Sequence, residues 1–140
     1  SPLAPDMRAD KGHQEFTYSF FAWEGPFKDS GLVQEGYDLN APVSVEKGAA
    51  EAASLLSLNV PGIVVESVKP AEDGSSDVVV RLYESLRTAT DAELSLGFEV
   101  KKTQLVDMLE STVKENLKVK SGKIALSFKP FEIKTLRFKL

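Results

Sequence analysis

The chain has 140 residues, enough for one domain with one core, and its 42% apolar and 27% charged residues are those of an ordinary globular protein. It contains no cysteine, which excludes disulfides, thiolate metal ligands and a cysteine nucleophile. No apolar run approaches the ~20 residues that cross a bilayer, and a net charge of −4 argues against a nucleic-acid partner.

The opening Ser1-Pro2-Leu3 has neither the basic nor the apolar region of a signal peptide and lacks an initiator Met. It reads as the cut end of a longer chain. Turn-forming residues follow (Pro5-Asp6, Asp10, Gly12), and then Phe16, Tyr18 and Phe20 alternate with polar residues. Period two predicts a strand over Phe16–Trp23 that anchors the fold. Asp29-Ser30 can cap a short helix carrying Val33 and Tyr37 one turn apart. Glu46–Ser54 is Ala-rich but has no apolar stripe, so it is expected to be an exposed insertion.

Strands dominate the remainder. Gly62–Lys69 reads as a strand ending at Pro70, followed by a hairpin loop over Ala71–Asp77 with Gly74 at its tip. Val78–Tyr83 is apolar on both faces except at Arg81, which places it centrally in a sheet with Glu66 as the expected partner of Arg81. Leu94, Leu96, Phe98 and Val100 alternate with polar or small residues, as do Ile124, Leu126 and Phe128. Thr103–Leu109 is a further strand. Residues 101–140 hold ten Lys/Arg against four Asp/Glu, but Lys118 and Lys120 alternate with Leu117 and Val119 and so belong to a solvated strand face. In Phe131–Leu140 the apolar phase slips by one near Lys134–Thr135, which predicts a β-bulge or a change of sheet there. Together these elements predict an all-β, antiparallel β-sandwich of roughly eight to ten strands with one short helix near residues 29–38.

Chemistry is sparse. Glycoside hydrolysis needs two carboxylates flanking the bond, one in surroundings that raise its pKa. The pairs available are Asp6 with Asp10 in a turn-rich lead-in, and Glu72 with Asp73 at a hairpin tip. Neither has apolar surroundings. A single histidine, His13, and no cysteine make a zinc site in this chain a poor prospect. Trp23 with Phe21 offers either a packing contact between domains or a sugar-stacking platform. The residues themselves therefore expect no catalytic, cofactor-binding or metal residue. Asp6, Asp10, His13 and Trp23 remain as possible cleft or interdomain contacts.

A run of motifs, in order, carries a resemblance. These are Ser1-Pro2-Leu3-Ala4-Pro5-Asp6, Ala9-Asp10-Lys11-Gly12, Glu15-Phe16-Thr17-Tyr18, Lys28-Asp29-Ser30-Gly31 and Leu39-Asn40-Ala41-Pro42. Further on stand Val64–Lys69, Val80-Arg81-Leu82-Tyr83-Glu84, Val106–Glu110 and Pro130–Leu136. Across essentially the whole chain this order resembles the C-terminal β-sandwich region of glycoside hydrolase family 38 α-mannosidases of the shorter, cytosolic or vacuolar type. One departure stands at Gln14, where that family shows a histidine directly before Glu-Phe-Thr-Tyr; here His13 lies one place earlier.

The resemblance implies a cytoplasmic, retaining α-mannosidase acting on mannose-containing oligosaccharides, with zinc in an N-terminal catalytic domain and no cofactor in this chain. Residues 1–140 would be one C-terminal domain, with 1–15 the lead-in and 62–140 the most regular part. Its partner would be its own catalytic domain, with neither nucleic acid nor membrane as partner. An independent carbohydrate-binding or protein-interaction sandwich is the alternative.

Overall fold

The computed structural model describes residues 11–41, 43–49, 51 and 53–140. Among the described residues, one α-helix, α1 (Leu32–Asn40), precedes eight strands: β1 (Leu56–Leu58), β2 (Ile63–Pro70), β3 (Val78–Glu84), β4 (Thr90–Leu96), β5 (Lys102–Val106), β6 (Val113–Leu117), β7 (Lys123–Phe128) and β8 (Ile133–Lys139). They form a three-stranded sheet in the order β1-β4-β7 and a five-stranded sheet in the order β2-β3-β8-β5-β6. Every pairing is antiparallel.

The alternation seen in the sequence builds the core. In β7, Ile124, Leu126 and Phe128 are buried while Lys123, Ala125 and Ser127 are exposed. They join Ala92 and Leu94 of β4 against Val80 and Leu82 of β3 and Leu136 and Phe138 of β8. The core therefore lies between the sheets, as in a β-sandwich. Phe98 adds an edge-to-face contact with Phe138, centroids 5.8 Å apart. Phe98 lies just beyond β4 because Gly97 turns the chain there. A Cβ at Gly97 would stand 2.2 Å from the Ser54 carbonyl oxygen, so only glycine fits this approach. The strand expected to run to Val100 consequently ends at Leu96.

The loop Ala71–Asp77 turns at Gly74, whose φ is +76°, and β3 lies between β2 and β8, both as expected. Other expectations are corrected. Phe16–Trp23 forms no strand among the described residues, and Phe16, Tyr18 and Phe20 are 80%, 83% and 92% exposed. No bulge interrupts β8, whose register runs unbroken from Tyr83↔Ile133 to Val78↔Phe138. The apparent phase slip arises because Phe131 belongs to a turn, with φ +59°, and both Phe131 and Ile133 are exposed. The bulge lies instead in β2 between Val65 and Ser67. Glu66 is the extra residue and is exposed, so Arg81 faces Ser67 and donates to the Met108 carbonyl at 3.1 Å. The strand expected over Thr103–Leu109 ends at Val106, and Lys118 and Lys120 lie exposed beyond β6.

Helix α1 starts after Ser30, whose hydroxyl accepts the Leu32 N–H at 3.1 Å. It reaches the five-stranded sheet through Tyr37, whose phenol lies 3.0 Å from that of Tyr83.

The fold turns on Glu84, the last residue of β3, which is fully buried. One carboxylate oxygen accepts the N–H of Leu86 at 2.8 Å, the N–H of Thr88 at 3.1 Å and the Thr88 hydroxyl at 3.1 Å. The other accepts the Phe131 N–H at 2.9 Å. Burial opposes its ionisation, but the hydrogen bonds from Phe131, Thr88 and Leu86 outweigh it and hold the carboxyl below the usual glutamate value.

Glu84→Gln turns an amide toward backbone donors and is expected to cost about 2–3 kcal/mol in chemical denaturation at neutral pH. Because the folded pKa of Glu84 is depressed, its contribution is complete above the unfolded glutamate value of about 4.3 and is lost as pH falls through the folded value. The stability of the Gln variant should therefore vary less with pH in acid than that of the parent. Separately, burial and then the Tyr37 phenol push the Tyr83 hydroxyl up to about 12. Ultraviolet titration should show one tyrosine ionising about two units late, and Tyr37→Phe should bring it partway back.

Candidate interdomain surface

Of the residues proposed as cleft or interdomain contacts, Asp6 and Asp10 lie outside the described residues. His13 stands in the exposed lead-in, its Nε2 4.0 Å from Glu15 Oε2, with both side chains about nine-tenths exposed. A pair so open to water positions nothing by itself. Trp23 is 44% exposed and stacks on Phe21 at 6.2 Å, with Phe27 edge-on at 6.5 Å. This small aromatic cluster closes the lead-in at Gly25 and Pro26, just before the 3-10 turn Phe27–Asp29. The structure therefore brings Trp23 together with Phe21 and Phe27, and it does not bring His13 to Trp23.

The second carboxylate pair is committed to ion pairs. The Glu72 carboxylate meets Lys69 Nζ at 2.5 Å. Asp73 accepts from Arg137 Nη2 at 2.6 Å, and Asp77 accepts from Arg137 Nε at 2.7 Å. The Arg137 guanidinium and then the Ser75 contacts hold the Asp73 carboxyl well below the usual carboxylate range. Glu110 adds a third tie. Its carboxylate meets Lys69 Nζ at 2.6 Å and accepts the Glu72 N–H at 2.9 Å. Hydrogen bonding to Lys69, then to the Glu72 backbone, lowers the Glu110 pKa. These contacts pin the β2–β3 hairpin loop and the loop after β5 across the outer face of the larger sheet.

A general acid working near neutral pH needs a carboxyl raised by burial. The carboxylates Asp73, Glu84, Asp107, Glu110 and Glu132 are all shifted the other way. No group of three His, Cys, Asp or Glu among the described residues is placed to hold a metal ion. The described residues therefore do not fit a zinc site.

What the surface does offer is apolar. A shallow groove between the sheets is lined by Leu55, Leu56, Val68, Val78, Phe98 and Leu140. At the other end of β8, Phe131 and Ile133 are 62% and 48% exposed. Sequence patterning missed Glu84 and Glu110. The one signal for Glu84 is its place closing a strand directly before Ser85-Leu86-Arg87-Thr88, a turn whose N–H groups need an acceptor.

Residues 62–136 match the family described as the glycosyl hydrolases family 38 C-terminal beta sandwich domain. The chain is 34% identical to alpha-mannosidase 2C1 of Homo sapiens, over 97% of this chain and 14% of that protein. It is 33% identical to alpha-mannosidase G of Dictyostelium discoideum, over 99% of this chain and 13% of that protein. It is 26% identical to an alpha-mannosidase of Saccharomyces cerevisiae, over 98% and 15%. The chain thus spans about one-seventh of the length of the curated relatives it matches. With two antiparallel sheets and more than half of its residues matched, this chain belongs to the family of glycosyl hydrolase family 38 C-terminal β-sandwich domains.

Proposed function

We propose that the chain is the non-catalytic C-terminal domain of a retaining α-mannosidase that removes terminal α-mannosyl residues from oligosaccharides. Its work is mechanical: it packs against the catalytic part of the same protein and stiffens that part's substrate cleft. The observation that carries this reading is the pairing of a family match over residues 62–136 with relatives that are α-mannosidases about seven times longer. The carboxylates of Asp73, Glu84 and Glu110 support it, because each is committed to holding loops. Zinc belongs, on this reading, to the catalytic part, and the protein works in the cytoplasm as the resemblance to the shorter type implies.

The lead-in through Asp6, Asp10 and His13 is the polar segment nearest to that catalytic part in sequence, and it would be the portion that approaches the cleft. His13→Ala in the full-length protein should then change KM or thermal inactivation; unchanged values for both remove it from that role.

The main test is an assay of the full-length protein on an aryl α-mannoside, with and without a zinc chelator. Hydrolysis that the chelator abolishes is expected, together with no turnover by the 140-residue chain alone. Turnover by the 140-residue chain would overturn the reading.

A further inference from the structure

We infer that Glu15–Phe20 is a docking strand: it adds itself, aromatic face inward, to the edge of a β-sheet in the part of the longer protein that precedes this chain. The inference rests on the domain reading proposed above and says which segment makes the joint.

The segment is built as half of a strand pair. Phe16, Tyr18 and Phe20 alternate with Glu15, Thr17 and Ser19, so an extended backbone puts three rings on one face and three polar groups on the other. Phe16 and Tyr18 do share a side, with ring centroids 6.2 Å apart. Phe, Tyr and Thr all favour strands, and six residues is an ordinary strand length. Yet the three rings are 80–92% exposed, and among the described residues no ladder joins this segment to either sheet. An amphipathic strand with three open aromatic rings is a contact surface awaiting its cover.

Two observations say what covers it. The family match begins at residue 62, and the first strand of the sandwich begins at Leu56, so the segment lies outside the sandwich unit. The relatives nevertheless align over 97–99% of this chain while carrying about six-sevenths of their length elsewhere. The aromatic segment thus travels with the sandwich in longer proteins that have the bulk to bury it. Strand addition supplies what it lacks, since a sheet edge offers main-chain partners and, at every second residue, a pocket for a side chain. The cluster of Phe21, Trp23 and Phe27, followed by Gly25 at φ +93° and Pro26, then ends the strand and turns the chain toward α1. The polar face of Glu15, Thr17 and Ser19 requires the receiving sheet to have one wet side, as antiparallel sheets commonly do.

The test is hydrogen exchange read by mass spectrometry on the full-length protein and on the 140-residue chain. Amides of Phe16–Phe20 should exchange at unstructured rates in the 140-residue chain and at least about 100-fold more slowly in the full-length protein. Tyr18→Asp in the full-length protein should speed their exchange while the amides of β3 and β7 stay slow. Equal, fast exchange in both wild-type proteins overturns the inference. Protection in the 140-residue chain together with a doubled mass in solution also overturns it, because the occupant is then a second copy. A full-length protein that protects the segment but leaves α-mannosides intact keeps the docking strand and sinks the mannosidase reading. One that cleaves them while the segment exchanges freely does the reverse.

Discussion

The buried carboxylate of Glu84 sits where β3 ends and two connections must turn, the one into β4 and the one between β7 and β8. By accepting from Leu86, Thr88 and Phe131 it satisfies backbone donors of both connections with one side chain. Those connections join the five-stranded sheet to the three-stranded sheet, so the spacing of the sandwich at this end depends on a single charge. A buried charge is tolerated only when it is fully hydrogen-bonded, and this one is. Phe131, whose N–H makes this contact, stands at a positive φ with its ring 62% exposed.

A second polar network organises the other end of the larger sheet. Arg137 on β8 holds Asp73 and Asp77, and Glu110 holds Lys69 and the Glu72 backbone. Carboxylates tied in this way are held ionised and in place. That suits a scaffold and defeats acid–base chemistry, where one group must keep its proton near neutral pH. The electrostatics of the five tied carboxylates Asp73, Glu84, Asp107, Glu110 and Glu132 thus favour the supporting role proposed above.

Much of the sandwich was legible because its strands obey period two. Ile124, Leu126 and Phe128 needed no tertiary information to be placed inward, and the both-sided apolarity of Val78–Tyr83 correctly marked a strand with neighbours on each side. The partner of Arg81 was misread for a local reason. A regular register would set Glu66 opposite Arg81, and one extra residue in β2 puts Ser67 there instead. Bulges leave almost no trace in an apolar pattern. Phe131 and Ile133 misled in another way: their alternation with Glu132 imitates a strand face, whereas Pro130-Phe131 is a turn. Of the proposed contact residues, Trp23 has a defined aromatic setting and His13 does not, and spacing alone could not separate them. Period two likewise identified Phe16–Phe20 as amphipathic and extended, but a sequence pattern does not state which sheet a strand joins.

Among the described residues, the chain divides into a sandwich with its docked helix and a leading aromatic segment that contributes no residue to the sandwich core. Deleting residues 1–24 and comparing chemical denaturation with the 140-residue chain tests this division most directly. The account predicts unfolding free energies equal within about 0.5 kcal/mol, as for changes away from a core. A loss of more than about 2 kcal/mol, the size of a lost core contact, would contradict it.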